Sequence, residues 1–140
     1  MDTNFLSNLN WLHILVATIA YFGLGAIWYS FLFQKKWIAY QNIDMSNPDA
    51  KKGAGMIMFF SFIWMFIATT ALAIIVNRLN LDNAVSGIKW GLLTGVCFSA
   101  MAISVTYLYV QKPAGLHFID GLYHVVGQVI AAVILCVWRS

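Results

Sequence analysis

Apolar residues fill four runs of the chain, and polar residues gather between them. The runs are Trp11 to Phe33, about Met56 to Val76, about Trp90 to Val110 and about Phe118 to Trp138. Each is close to the roughly 20 residues a helix needs to cross a hydrocarbon core. The links are short except for Gln34 to Gly53, "QKKWIAYQNIDMSNPDAKKG". There Trp37, Ile38 and Tyr40 beside Lys35 and Lys36 predict a stretch lying at the headgroup level. Ser46 or Asn47 as N-cap, with Pro48 and Asp49 in the first turn, predicts that the second helix starts near Pro48. Asp82 or Asn83 caps the third, and Pro113 with Gly115 separates the third from the fourth. Short links between antiparallel helices predict one all-α domain over residues 1–140, an up-down bundle of four transmembrane helices.

Composition strengthens that picture. The chain is 61% hydrophobic and 9% charged, with five Asp and no Glu. A soluble domain carries about 25% charged residues. The bilayer is therefore the expected surroundings. The basic residues stand singly or in pairs at span ends, which argues against nucleic acid. Cys97 and Cys136 lie inside apolar runs without metal-type spacing and are expected as buried, reduced thiols. "MDTNFLSNLN" lacks the basic start of a signal peptide, so the first run is expected to stay as a membrane helix. Trp11, Trp28, Tyr29, Trp37, Trp90, Tyr107, Tyr109 and Trp138 fall near span ends, as an aromatic belt requires.

Lysine and arginine placement predicts orientation. Lys35, Lys36, Lys51, Lys52 and Lys112 lie at one end of the bundle, and Arg78, Lys89 and Arg139 at the other. Five against three puts link 34–52 in the cytoplasm and both termini outside. Small residues predict where helices touch. Gly87, Gly91, Gly95 and Ser99 recur at every fourth position, a face that lets two backbones approach. It serves either packing within the bundle or a homodimer seam. Helix one carries Ala17, Ala20, Gly23, Gly25, Ala26 and Ser30; helix four carries Gly121, Gly127, Ala131 and Ala132.

The candidate chemistry lies in "HFIDGLYHVVGQV". Steps of four drift about 40° around a helix and climb about 6 Å. His117, Asp120, His124 and Gln128 thus form one slowly turning stripe, which lipid cannot satisfy. A structural reading has Asp120 in the first turn neutralising Lys112, with His124 and Gln128 in ordinary interhelical hydrogen bonds. Three functional readings stand beside it: a proton or ion relay through Asp120 and His124, a metal held by His117, Asp120 and His124, and recognition of a substrate or helix. His13, near Trp11, is explained by the interface. There is no G-x-S-x-G, Walker loop, H-E-x-x-H or nucleophile-base pair. The expectation is a non-enzyme without cofactor or resident metal.

Two stretches resemble the ends of a bacterial family of small four-helix membrane proteins, known as domain of unknown function seventeen sixty-one. Its opening pattern matches Asn10, Trp11, Gly25, Trp28, Tyr29, Ser30, Phe33, Lys36 and Trp37. Its closing helix resembles Phe118 to Trp138, with Asp120, Gly121, Tyr123 and Trp138 in place. Phe31 stands where the family often has proline. The resemblance implies four spans in a bacterial cytoplasmic membrane and no assigned activity. It also places Trp28, Tyr29, Ser30 and Asp120 at one end, around a shallow polar mouth. The expected function is a small homo-oligomeric permeation or transport protein, associated through helix three. The alternative is a non-catalytic accessory subunit of a larger membrane complex.

Overall fold

A computed structural model describes Asn4 and residues 6–139. The other tail residues, on which the outward placement of the N-terminus partly leans, lie outside the described residues. The fold is all helical, with four apolar helices able to span a membrane: Trp11–Leu32, Pro48–Arg78, Ala84–Tyr109 and Ala114–Val137.

Helix α1 (Trp11–Ile27) starts at Asn10, whose side chain accepts from the Leu12 and His13 amides. It buries Ile14, Ala17, Thr18 and Tyr21, one stripe at helical spacing. Its last turn, Trp28–Leu32, is π-helical, so the exit is a widened turn where a proline kink would otherwise stand. Short α2 (Gln34–Gln41) follows and ends at Asn42 in the left-handed region. Trp37 and Tyr40 pack on the core, while Lys35 and Lys36 are exposed.

The expected second-helix start divides in two. Asn47 caps only a 3-10 turn, Pro48–Lys51. Gly53, at φ 79°, then breaks the backbone before α3 (Ala54–Arg78). Helix α4 (Ala84–Thr94) takes Asn83 as its cap, through the Ser86 amide. The third span continues through a π-helical segment, Gly95–Ala100, into α5 (Met101–Tyr109). After Gln111 in the left-handed region and Pro113, α6 (Ala114–Val137) closes the chain.

Helix α6 is the hub. Half of its most apolar window (50%) is buried inside the protein, against 17–28% for the other spans. It packs on α1, α3 and the whole third span, and α1 packs on α3. No comparable contact joins α3 to α4 or α5 among the described residues. Burial along α3 is one-sided: Thr69, Leu72, Ala73 and Val76 are buried, whereas Met56 to Phe60 are exposed. The half of α3 nearest α2 therefore stands away from the hub.

The glycine stripe of α4 packs inside the chain. A Cβ added at Gly87, Gly91 or Gly95 would lie 2.7, 2.5 or 2.7 Å from the Cα of Val133, Val129 or Val125. The valines run backwards in the same steps of four, an antiparallel register with backbones in contact. Between apolar helices in lipid, dispersion and Cα–H···O contacts supply the attraction that hydrophobicity cannot. Of the two expected uses of this face, the register shows packing within the bundle: α6 of the same chain fills it, and a homodimer through helix three would not find it open. Cys97 is exposed, not buried, since it points away from that seam toward the lipid side; Cys136 is buried, and both are free.

Candidate functional site

The polar stripe of α6 is real as geometry, and tyrosines from other spans complete it. Asp120 is only 7% exposed. One carboxylate oxygen accepts from the Tyr29 hydroxyl at 2.7 Å, the other from the Tyr107 hydroxyl at 2.5 Å. The indole of buried Trp28 donates to the Ile119 carbonyl at 3.0 Å. The π turn at residues 28–32 presents two consecutive rings, Trp28 and Tyr29, to the same helix. Asp120 thus ties the ends of the first and third spans to α6. Lipid offers no such donors, so this satisfaction is what allows a carboxylate at this depth.

The next member is one turn deeper. The Tyr21 hydroxyl and His124 Nδ1 share a hydrogen bond of 2.6 Å. Gly127 seats the Tyr21 ring: a Cβ there would lie 2.0 Å from a ring carbon. Tyr123 fills the space between the polar groups, its ring 5.7 Å from Tyr21, 5.2 Å from Tyr29 and 4.8 Å from His124. Its hydroxyl donates to the Tyr21 carbonyl at 3.3 Å and lies 3.0 Å from where Gly25 would carry a Cβ. At the far end Gln128 donates to the Ser99 hydroxyl. Ser99 lies within the second π segment, so both π segments flank the stripe. Such segments recur at functional sites.

Several expectations change. Asp120 is almost two turns into α6, and Lys112 donates instead to Gln41, at 2.9 Å. His117 leaves the group and meets the Tyr107 ring edge-on at 5.5 Å. Among the described residues no three His, Cys, Asp or Glu side chains gather to hold a metal ion. The expected belt splits: Trp28 and Tyr29 turn inward and Tyr107 reaches Asp120, while Trp11, Tyr109 and Trp138 remain exposed. His13 stacks on Trp138 at 4.5 Å. Sequence reasoning missed Tyr21, Tyr107, Tyr123 and Ser99 as partners. Mid-span Tyr21 was the available signal, because a buried phenol needs a hydrogen-bond partner.

Beside the stripe lies a cavity of about 730 Å³. Tyr21, His124, Gln128, Ser99, Ser30 and Ser61 give it polar edges; Phe22, Met58, Trp64, Met65 and Ile103 give it apolar walls. It occupies the gap left where α3 stands away from α5. Met58 and Trp64 are largely exposed, so its mouth faces the side of the bundle, where lipid tails would lie. Asp120 and His117 are not among its walls. The cavity therefore meets only the His124 and Gln128 half of the stripe.

Some of the residues singled out near the two ends of the chain converge here. Gly25 and Tyr29 lie against Tyr123, and the Tyr29 and Trp37 rings are 5.5 Å apart. Ser30 borders the cavity, whereas Asn10 and Trp11 stand at the far end of the first span, where Asn10 caps α1. No curated protein and no solved structure matches the chain. Residues 12–136 match the family described as protein of unknown function (DUF1761), and the chain belongs to that family.

Proposed function

We propose that this multi-pass membrane protein binds a lipophilic small molecule with a hydrogen-bonding head, and serves its passage across the membrane without chemical conversion. The observation that carries the reading is the side-opening cavity with polar groups at its back. Its volume of about 730 Å³ falls within the roughly 300–1,000 Å³ of small-molecule sites. A molecule dissolved in the bilayer would enter between α3 and α5. Its apolar body would lie on Phe22, Trp64 and Met65. With His124 Nδ1 engaged by Tyr21, Nε2 is left for the head, and so is the carbonyl oxygen of Gln128, whose amide holds Ser99. A continuous ion path finds less support, because Asp120 is closed off by two phenols.

The membrane is taken as a bacterial cytoplasmic membrane. Link 34–52 faces the cytoplasm and both termini face outward, on the strength of the Lys/Arg asymmetry. Any homo-oligomer would use a surface other than the glycine face of α4.

The test is gentle extraction at native expression level followed by native mass spectrometry. The expected result is a retained small molecule on the wild-type chain, absent from Ala102→Phe, which fills the cavity from its α5 wall. A wild-type chain that carries nothing, and gains nothing from a lipid extract of its host, would sink the reading. A stoichiometric foreign membrane protein would move the assignment to an accessory subunit.

A further inference from the structure

A second cavity, of about 510 Å³, lies at the opposite end of the bundle from α2. The start of α1, the end of α3 and the end of α6 enclose it. Asn8, Asn10, His13, Asn77, Asn80, Arg78 and Arg139 border it, together with a few apolar residues, and among the described residues no Asp side chain does. We propose that it binds one phosphate group, either the headgroup of an anionic phospholipid or a soluble phosphate.

Four features support this. Two arginines border one cavity, and arginine's planar fork matches phosphate oxygens. Arg139 is held in place: it donates to the Val76 carbonyl at 3.2 Å and to the Asn80 side-chain oxygen at 2.8 Å. Both acceptors are neutral, and these two bonds use two of the five N–H donors of a guanidinium. The nearby carboxylate of Asp82 accepts from the Asn83 amide and does not border the cavity. The asparagines add neutral donors, and the positive end of the α1 dipole adds field; its Leu12 and His13 amides are already taken by Asn10. Finally, the His13–Trp138 stack stands beside the cavity, and aromatic rings of this kind mark the level of lipid phosphates. Basic pockets between membrane helices suit lipid headgroups for this reason. The cavity near His124 is built from other side chains, so this inference is independent of the proposed function.

The full chain, delipidated in a neutral maltoside detergent, tests it. Phosphatidylglycerol, phosphatidylcholine and inorganic phosphate are added in separate arms. Native mass spectrometry counts bound lipid, and calorimetry reads inorganic phosphate. One phosphatidylglycerol per chain, preferred over phosphatidylcholine and weakened at least tenfold by Arg139→Gln, identifies a headgroup site. Saturable inorganic phosphate binding with the same sensitivity identifies a soluble anion. Asn77→Asp, nearly isosteric, sets a negative charge at the cavity and should weaken binding as much; it carries the test where Arg139→Gln does not fold. Lys36→Gln, at the other end, should change nothing. Absence of saturable binding in every arm overturns the proposal. So does binding that a folded Arg139→Gln or Asn77→Asp chain retains in full.

Discussion

Helix α6 has two working faces, built on opposite rules. Toward α4 it meets glycines, and the two backbones touch along Gly87–Val133, Gly91–Val129 and Gly95–Val125. Toward α1 and α3 it carries Tyr123, His124 and Gly127, and the contact is made by rings and hydrogen bonds around a cavity. The first face excludes everything, water and ligand alike. The second keeps space open because its polar groups need partners, and because α3 leans away. In lipid, where apolar surface gains nothing by leaving the solvent, closeness comes from small residues and openness from large polar ones.

The largest effect should come from the closed face. A Cβ at Gly91 alone falls 2.5 Å from the Val129 Cα and 2.9 Å from the Gln128 carbonyl oxygen. Backbone atoms cannot step aside as a side chain can. Gly91→Ala should lower stability by at least about 1–3 kcal/mol, the range for overpacking, and Gly91→Leu should prevent recovery of folded protein. Gly23 of α1 has nothing within 4 Å of its Cβ position, and Gly23→Ala should be neutral or slightly stabilising. Thermal unfolding in detergent compares them. Equal melting temperatures for Gly91→Ala and Gly23→Ala would end the account of a backbone seam.

Gly127→Ala comes next, and it targets the open face. Its Cβ would strike the Tyr21 ring, a side chain, so the chain should fold with that ring displaced. The Tyr21–His124 hydrogen bond should then be lost, and with it retention of the bound molecule. Tyr21→Phe, which deletes only the hydroxyl, should weaken retention while sparing the fold. Retention by Gly127→Ala at wild-type level would show that the ring's placement does not govern the cavity.

Asp120→Asn should have a smaller effect. Its amide can still accept one phenol but loses the charge. Hydrogen bonds to charged groups contribute about 1.5–3 kcal/mol and neutral ones about 0.5–1.5, so stability should fall by about 1–2 kcal/mol. Tyr29→Phe and Tyr107→Phe should each lose less, and their effects should not add, since both phenols hold one carboxylate. Strict additivity would mean that the two bonds act separately.

The architecture was legible because the four apolar runs, the Asp82 or Asn83 cap, Pro113 and the period-four glycines each follow from local chemistry. Asp120, His124 and Gln128 were legible as a stripe for the same reason, since polar residues in lipid demand partners. Their partners were not. Tyr29 lies 91 residues from Asp120 and Tyr21 lies 103 from His124, and a ring near a span end looks the same whether it turns to the interface or inward. Lys112 was the nearer candidate for Asp120 in sequence, but pairs with Gln41 in space. The cavity was invisible too, because it arises where α3 stands away from α5. Periodicity describes one helix at a time.

Ser99 separates the two faces most finely. It is the fourth member of the glycine register, yet its hydroxyl takes the Gln128 amide and borders the cavity. Ser99→Gly would extend the closed face by one step and leave Gln128 without that partner. Hydrogen bonds between membrane helices are worth about 0.6 kcal/mol on average in double-mutant cycles, so the stability loss should be small. Its larger consequence should be for binding, because a released Gln128 amide can turn toward the head of the ligand. A cycle of Ser99→Ala, Gln128→Leu and the double variant measures the pair directly. A coupling near 0.6 kcal/mol, with altered retention of the bound molecule in Ser99→Ala, would place the boundary between seam and site at this residue. No coupling and unchanged retention would move that boundary to Gly95, and leave the stripe with Asp120 and His124 alone.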